Sequence, residues 1–231
     1  MQTYYYNKNC DVRHLVIVGL YYVNHLIQGS ISEFIFLFHK SDIKGENTKM
    51  FDIRKMQEQV IYGAVKSASD DGTAKEIVYG KGEKASTEDN ATWVKHTMKR
   101  LENHFDDPTV KLIRRNCQCG YGMDEKLALL KDLIESSSSM EEFGNLDKAK
   151  EAGLSCVNGE LYLQFPFCPC PMLADVDRLD TNTWCQCTTG YSKVLFEKAF
   201  ACEVDVELLK SIKMGDEMCL MKIIPQSSVW K

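Results

Sequence analysis

GLSCVNGELYLQF, residues 153–165, is where the spacing of apolar side chains changes from helical to alternating. Leu161, Leu163 and Phe165 alternate with Tyr162 and Gln164, and the Asn158-Gly159 dipeptide ahead of them is a hairpin turn signal. Further on, Val204, Val206 and Leu208 alternate with Asp205 and Glu207, and Met214-Gly215-Asp216 turns the chain into a second run over 218–224. These segments predict antiparallel strands.

Upstream of Gly153 the pattern is helical. Ile53, Met56, Val60, Ile61 and Ala64 share one face until Ser69-Asp70-Asp71-Gly72 breaks the run, and a short helix is expected over 73–79. Ser86-Thr87-Glu88-Asp89 supplies N-cap chemistry for a helix with Trp93, Val94, Met98, Leu101 and Phe105 on its apolar stripe. Asp106-Asp107-Pro108 starts the next helix, Asp124 opens another with Leu127, Leu130, Leu133 and Ile134 inward, and Ser139 with Glu142 has capping-box spacing. The expected fold class is therefore α+β: a helical N-terminal half packed on a C-terminal antiparallel sheet with one long helix. Residues 50–152 form the helical part and 153–231 the cysteine-rich part of one domain.

Residues 1–49 differ in character, with poor periodicity and few capping signals. Lys44-Gly45-Glu46 can be encoded by a purine run of the kind that recruits ribosomes, so Met50 is the expected start and 1–49 an extension outside the domain. The apolar run 15–38 is interrupted by Asn24, His25, Gln28, Ser30, Ser32 and Glu33, too often for a bilayer-spanning helix.

The chain has 231 residues, 44% hydrophobic and 26% charged, enough to bury a core. A formal charge of -5, with Lys and Arg interleaved among acids, argues against nucleic acid as a partner, and no membrane partner is expected. Ten cysteines without a secretory signal pattern point to the reducing cytoplasm, where paired cysteines serve metal or redox chemistry more often than bridges.

Six of those cysteines occur as three Cys-x-Cys pairs: Cys117 with Cys119, Cys168 with Cys170, and Cys185 with Cys187. In an extended strand such a pair stands about 6.5–7 Å apart at Cα, too far for tetrahedral zinc, so chelation needs a bent backbone. Pro169 and Gly120 are bending devices for two of the pairs, while Pro169 and Pro171 exclude a central strand. Thr183-Trp184-Cys185-Gln186-Cys187 reads as a short strand, followed by a helix capped by Thr188-Thr189 with Tyr191, Val194, Leu195 and Ala199 inward. Cys187, and by extension Cys185, would lie at a helix N-terminus, which favours thiolate.

The simplest four-sulfur set is Cys168, Cys170, Cys185 and Cys187, with Cys117 and Cys119 able to replace one pair. Zinc is the expected metal and an iron–sulfur cluster the lesser choice. The competing reading packs these cysteines as small reduced hydrophobes, as expected for Cys10, Cys156 and Cys202. His96 and His104 at a helix-face edge are expected to be non-ligands, and Asp175, Asp177 and Asp180 solvated. No Gly-rich phosphate loop, Gly-x-Ser-x-Gly elbow or His-Glu-x-x-His occurs.

The motifs AxWVKHTMKRLE, NCQCGYG, EEF, CPCP, TWCQCTTGYSKVLFE and VDVELLKSIKMGDEMCLMKI, between Ala91 and Ile224, resemble an uncharacterised cysteine-rich family of bacterial and archaeal proteins. The stretch GYSKVLFEKAFACEVDVELLKSIKMGDEMCLMKI is also similar to the end of the 4-vinyl reductase domain and of aminothiazoline carboxylate hydrolase-like proteins. That resemblance implies a small-molecule-binding α+β domain, which in some sensor relatives holds zinc. Those relatives carry a cysteine before Gly-Asp-x-x-Cys where this chain has Ser211, so only Cys219 of their pair is present.

Two functions follow as expectations. One is a small-molecule-binding protein of 4-vinyl-reductase-like type with a cysteine-ligated, chiefly structural zinc. The other is a hydrolase of a small sulfur- or nitrogen-containing heterocycle using Cys187, Cys185 or a zinc-bound water. A thiol redox protein is a third reading, which requires two sulfurs close enough to bridge.

Overall fold

The computed structural model describes residues 52–80, 88–120 and 122–230. The expectations for the N-terminal extension, the 15–38 run, Met50 and Cys10 lie outside the described residues, as do Ser86 and Thr87. No helix among the described residues is long and apolar enough to cross a membrane.

Helices come first: α1 (Ile53–Ala68), α2 (Asp71–Tyr79), α3 (Asn90–His104), α4 (Asp107–Arg115) and α5 (Met123–Glu135), then the short α6 (Met140–Asn145) and α7 (Asp147–Glu151). Strands β1 (Leu154–Val157) and β2 (Glu160–Phe165), helix α8 (Gln186–Phe200), and strands β3 (Val204–Lys210) and β4 (Cys219–Pro225) complete the chain. The sheet is antiparallel with order β1-β2-β4-β3. The chain is an α+β protein, as its periodicity predicts.

Helix starts follow their capping residues. The side chains of Asp52, Asp70, Asp89 and Asp106 each accept a hydrogen bond from the amide three residues on. Ser139 caps α6 in the same way, but Glu142 reaches back to the amide and hydroxyl of Ser138, one residue earlier than a capping box requires. The face of α1 also departs from its pattern. Gln57 and Glu58 are buried beside Ile61 and Val65, and Glu58 pairs at 2.7 Å with Arg54, whose guanidinium lies over the Trp93 ring at 4.0 Å.

Two apolar clusters build the interior. One gathers α1–α4 around Trp93, Leu101 and Trp184; the other packs Leu133, Phe143, Phe196 and Phe200 against the inner face of the sheet, with Leu161, Val206 and Met221. Helix α8 joins them by lying against both α4 and β3. Gly190 permits that approach: a Cβ there would stand 1.9 Å from the carbonyl oxygen of Arg115, at the end of α4. Any side chain at this position collides with backbone.

The segment 183–187 is helical rather than extended. Backbone bonds from Cys185 to Asn182, Gln186 to Thr183, Cys187 to Trp184 and Thr188 to Cys185 wind a tight turn straight into α8. The helix thus begins at Gln186, and Thr188 and Thr189 are interior residues, not caps. Its buried face is Gln186, Thr189, Gly190, Ser192, Leu195, Phe196 and Phe200, turned away from the expected face so that Tyr191, Val194 and Ala199 lie only half-buried. Burial of Trp184 in the helical core overrides the strand propensity of Thr183-Trp184.

Candidate metal centre

The CPCP segment leaves β2 beside the start of β4, since Phe165 pairs with Cys219. Prolines 166, 169 and 171 cannot donate to a ladder, so β2 stops at Phe165 and the chain bends into a single turn of 3-10 helix at Pro171–Leu173. The tight turn into α8 brings Cys185 to the same place from the other side. Cys168, Cys170, Cys185 and Cys219 line one cavity of ≈ 20 Å³ together with Pro169, Thr188, Leu208 and Met221. That is space for a single water molecule or ion. The cavity sits where the two apolar clusters meet: Cys168, Cys170 and Cys185 pack on the helical one, and Met221 belongs to the sheet side.

Loops on both sides are tied together. Lys213 Nζ donates to the Val176 carbonyl at 2.6 Å, Leu179 N to the Lys213 carbonyl at 2.8 Å, and Arg178 to the Met214 carbonyl at 2.7 Å. Ser211, fixed by the bond from its amide to Asp216 at 2.7 Å, places its hydroxyl 3.4 Å from Cys185 Sγ. Asp175, Asp177 and Asp180 are exposed, as expected.

The thiols differ in their surroundings. The interaction of Cys168 with Cys219 raises the Cys168 pKa and lowers that of Cys219. Burial raises Cys170 and Cys185. Cys187 is pushed up to about 12 by burial, and its Sγ donates to the Cys117 carbonyl at 3.0 Å. Desolvation thus outweighs the helix N-terminus that favours thiolate at Cys187. Cys117 is fully buried, with its thiol directed to the Ile113 carbonyl at 3.1 Å and its pKa raised by burial.

The structure therefore unites Cys168, Cys170 and Cys185 with Cys219, and sets Cys117 and Cys187 beside each other outside the cavity lining. Cys119 precedes Gly120 and lies near Lys126 and Tyr191, whose titrations it influences. The one sequence signal for Cys219 is the Gly-Asp-x-x-Cys motif; as an unpaired strand residue it has no spacing to flag it. Among the described residues, no group of three or more His, Cys, Asp or Glu side chains is placed so that it could hold a metal ion. His96 pairs with Glu88 at 2.8 Å and His104 with the Arg100 carbonyl at 2.9 Å, both remote from the cysteines in role.

Every cysteine of the cavity falls within the reach of one family model, that of a family of unknown function, DUF6144, which matches residues 50–230. The chain belongs to the DUF6144 family. The match spans both the helical and the sheet parts. Comparison with curated proteins and with solved structures gives no match.

Proposed function

We propose that this DUF6144 protein is a cysteine-ligated metal protein in which Cys168, Cys170, Cys185 and Cys219 hold one zinc ion. The observation that carries the reading is the convergence of these four thiols, drawn from three separate segments, on one ion-sized cavity. The four sulfurs ligate a metal only as thiolates, and each has a single side-chain torsion by which to turn toward it. The cavity's size supports a mononuclear ion over a cluster of several irons.

Four sulfurs complete a tetrahedral shell and leave no position for a reactive water, which supports a structural ion. Burial of Cys185 and Cys187 as thiols argues in the same direction, against their use as nucleophiles. Small-molecule binding of 4-vinyl-reductase type rests on the C-terminal motif alone, and a cavity of ≈ 20 Å³ is too small for an organic ligand. A second reading, thiol redox chemistry, is favoured by the Cys168–Cys219 contact.

Metal analysis of protein purified under reducing, oxygen-free conditions separates the readings. About one zinc per chain is expected, lost in Cys219→Ser and Cys185→Ser and kept in Cys156→Ser and Cys202→Ser. Absence of metal, with a Cys168–Cys219 bridge appearing on exposure to a small disulfide oxidant, would replace the metal reading with the redox one.

A further inference from the structure

Arg114 is a fully buried arginine at the end of α4. Its guanidinium lies over the Trp184 ring at 4.0 Å, and Nη2 donates to the Trp184 carbonyl at 3.1 Å. Nε and Nη1 have no hydrogen-bond partner among the described residues, and no described carboxylate forms an ion pair with the group. A guanidinium stays charged at any accessible pH. Removing such a charge from water without a counter-charge costs more than one indole face and one carbonyl return. Sulfurs surround the ring it lies on: Cys117 and Trp184 share one buried cluster, and Cys168, Cys170 and Cys185 pack against that cluster. As neutral thiols they offer it nothing to balance.

We infer that Arg114 is the built-in counter-cation of a dianionic metal–tetrathiolate centre formed by Cys168, Cys170, Cys185 and Cys219. This rests on the metal reading above and adds the charge state and ligand class of the site: a divalent ion taken up by four deprotonated thiols. Each sulfur that is still a thiol loses its proton to solvent, four metal–sulfur bonds form, and a divalent ion with four thiolates carries a net charge of -2. Arg114 then has an anion to face, and Trp184, whose carbonyl and ring hold the guanidinium, sits next to Cys185 in the chain. Arg114 acts through the thiolates and touches no substrate; it is a positioning residue.

The test is zinc affinity by competition with a chromophoric chelator, under reducing conditions, for the full chain, Arg114→Met and Arg114→Lys, with melting temperatures of metal-free and zinc-loaded forms. Arg114→Met is expected to weaken zinc binding about 10- to 100-fold, the range for outer-shell partners of a metal. Its metal-free melting temperature should match or exceed that of the wild type, because the uncompensated charge is gone, while the rise on adding zinc shrinks. Arg114→Lys, which keeps the charge, should recover most of the lost affinity. On wild-type protein, zinc uptake near neutral pH should release about three to four protons per ion, because Cys219 alone of the four sulfurs has a lowered pKa.

Equal affinity in Arg114→Met and wild type would overturn the inference, as would Arg114→Lys binding no better than Arg114→Met, or the release of clearly fewer than about three protons per ion. A merely structural arginine would lower the metal-free melting temperature and leave the zinc-induced rise unchanged. Should Arg114→Met not fold, the lysine variant and the proton count decide alone. A wild type that binds no zinc removes the metal reading itself, an outcome distinct from binding that ignores Arg114.

Discussion

At the scale of single residues, desolvation governs this protein's chemistry more than local charge. Cys187 begins a helix, yet burial pushes its thiol up to about 12, and Cys117 is raised for the same reason. Both should resist alkylation in the native protein at neutral pH, and peptide mapping after a short pulse of iodoacetamide should find them unmodified. Lys126 shows the converse case: burial lowers its pKa to about 8, and it donates to the Tyr191 hydroxyl at 3.1 Å. Between pH 8 and the unfolded value of 10.5 the unfolded chain binds more protons than the folded one, so the Lys126 contribution to stability rises with pH there. Denaturation of wild type against Lys126→Met should show this as a relative gain for the wild type of at most about 1.4 kcal/mol per pH unit. The Cys-x-Cys spacings mark six sulfurs in the sequence itself. Cys219 and Arg114 carry no comparable mark, because their roles come from strand pairing and burial and leave no local pattern.

At the scale of elements, the helix caps and the alternating strands were legible because a few adjacent residues determine them. Asp106→Ala should lower the denaturant midpoint, since it removes the bond to the Thr109 amide at 3.0 Å. The start of α8 was not legible: Thr183-Trp184 has strand propensity, and it is the packing of Trp184 edge-on against Trp93, at 5.8 Å between centroids, that draws the segment into a helical turn. Gly190 belongs to this scale too. Gly190→Ala forces α8 away from the end of α4 and should destabilise the protein by about 2–4 kcal/mol, read as a lower denaturant midpoint.

At the scale of the whole molecule, Thr48–Lys231 is one compact unit holding two apolar clusters, and the cysteine cavity lies at the seam between them. An ion held there, as proposed, would tie β2's exit, the entry to α8 and the first residue of β4 into one cross-link. Chelation should therefore lower the melting temperature and raise amide hydrogen exchange over 166–187 and 211–219, while the β1–β2 turn is little changed; zinc at a hundredfold excess over its dissociation constant is worth about 2.7 kcal/mol. The alternation of periods across Gly153 announces an α+β chain, but the meeting of three distant segments at one seam is a property of topology, which no stretch of sequence carries alone.

The most direct measurement is X-ray absorption at the zinc edge of protein purified without oxygen. Four sulfur scatterers near 2.3 Å are predicted around a single zinc. A first shell dominated by nitrogen or oxygen, or protein that carries no metal while all its thiols titrate as free after unfolding, would contradict the tetrathiolate centre.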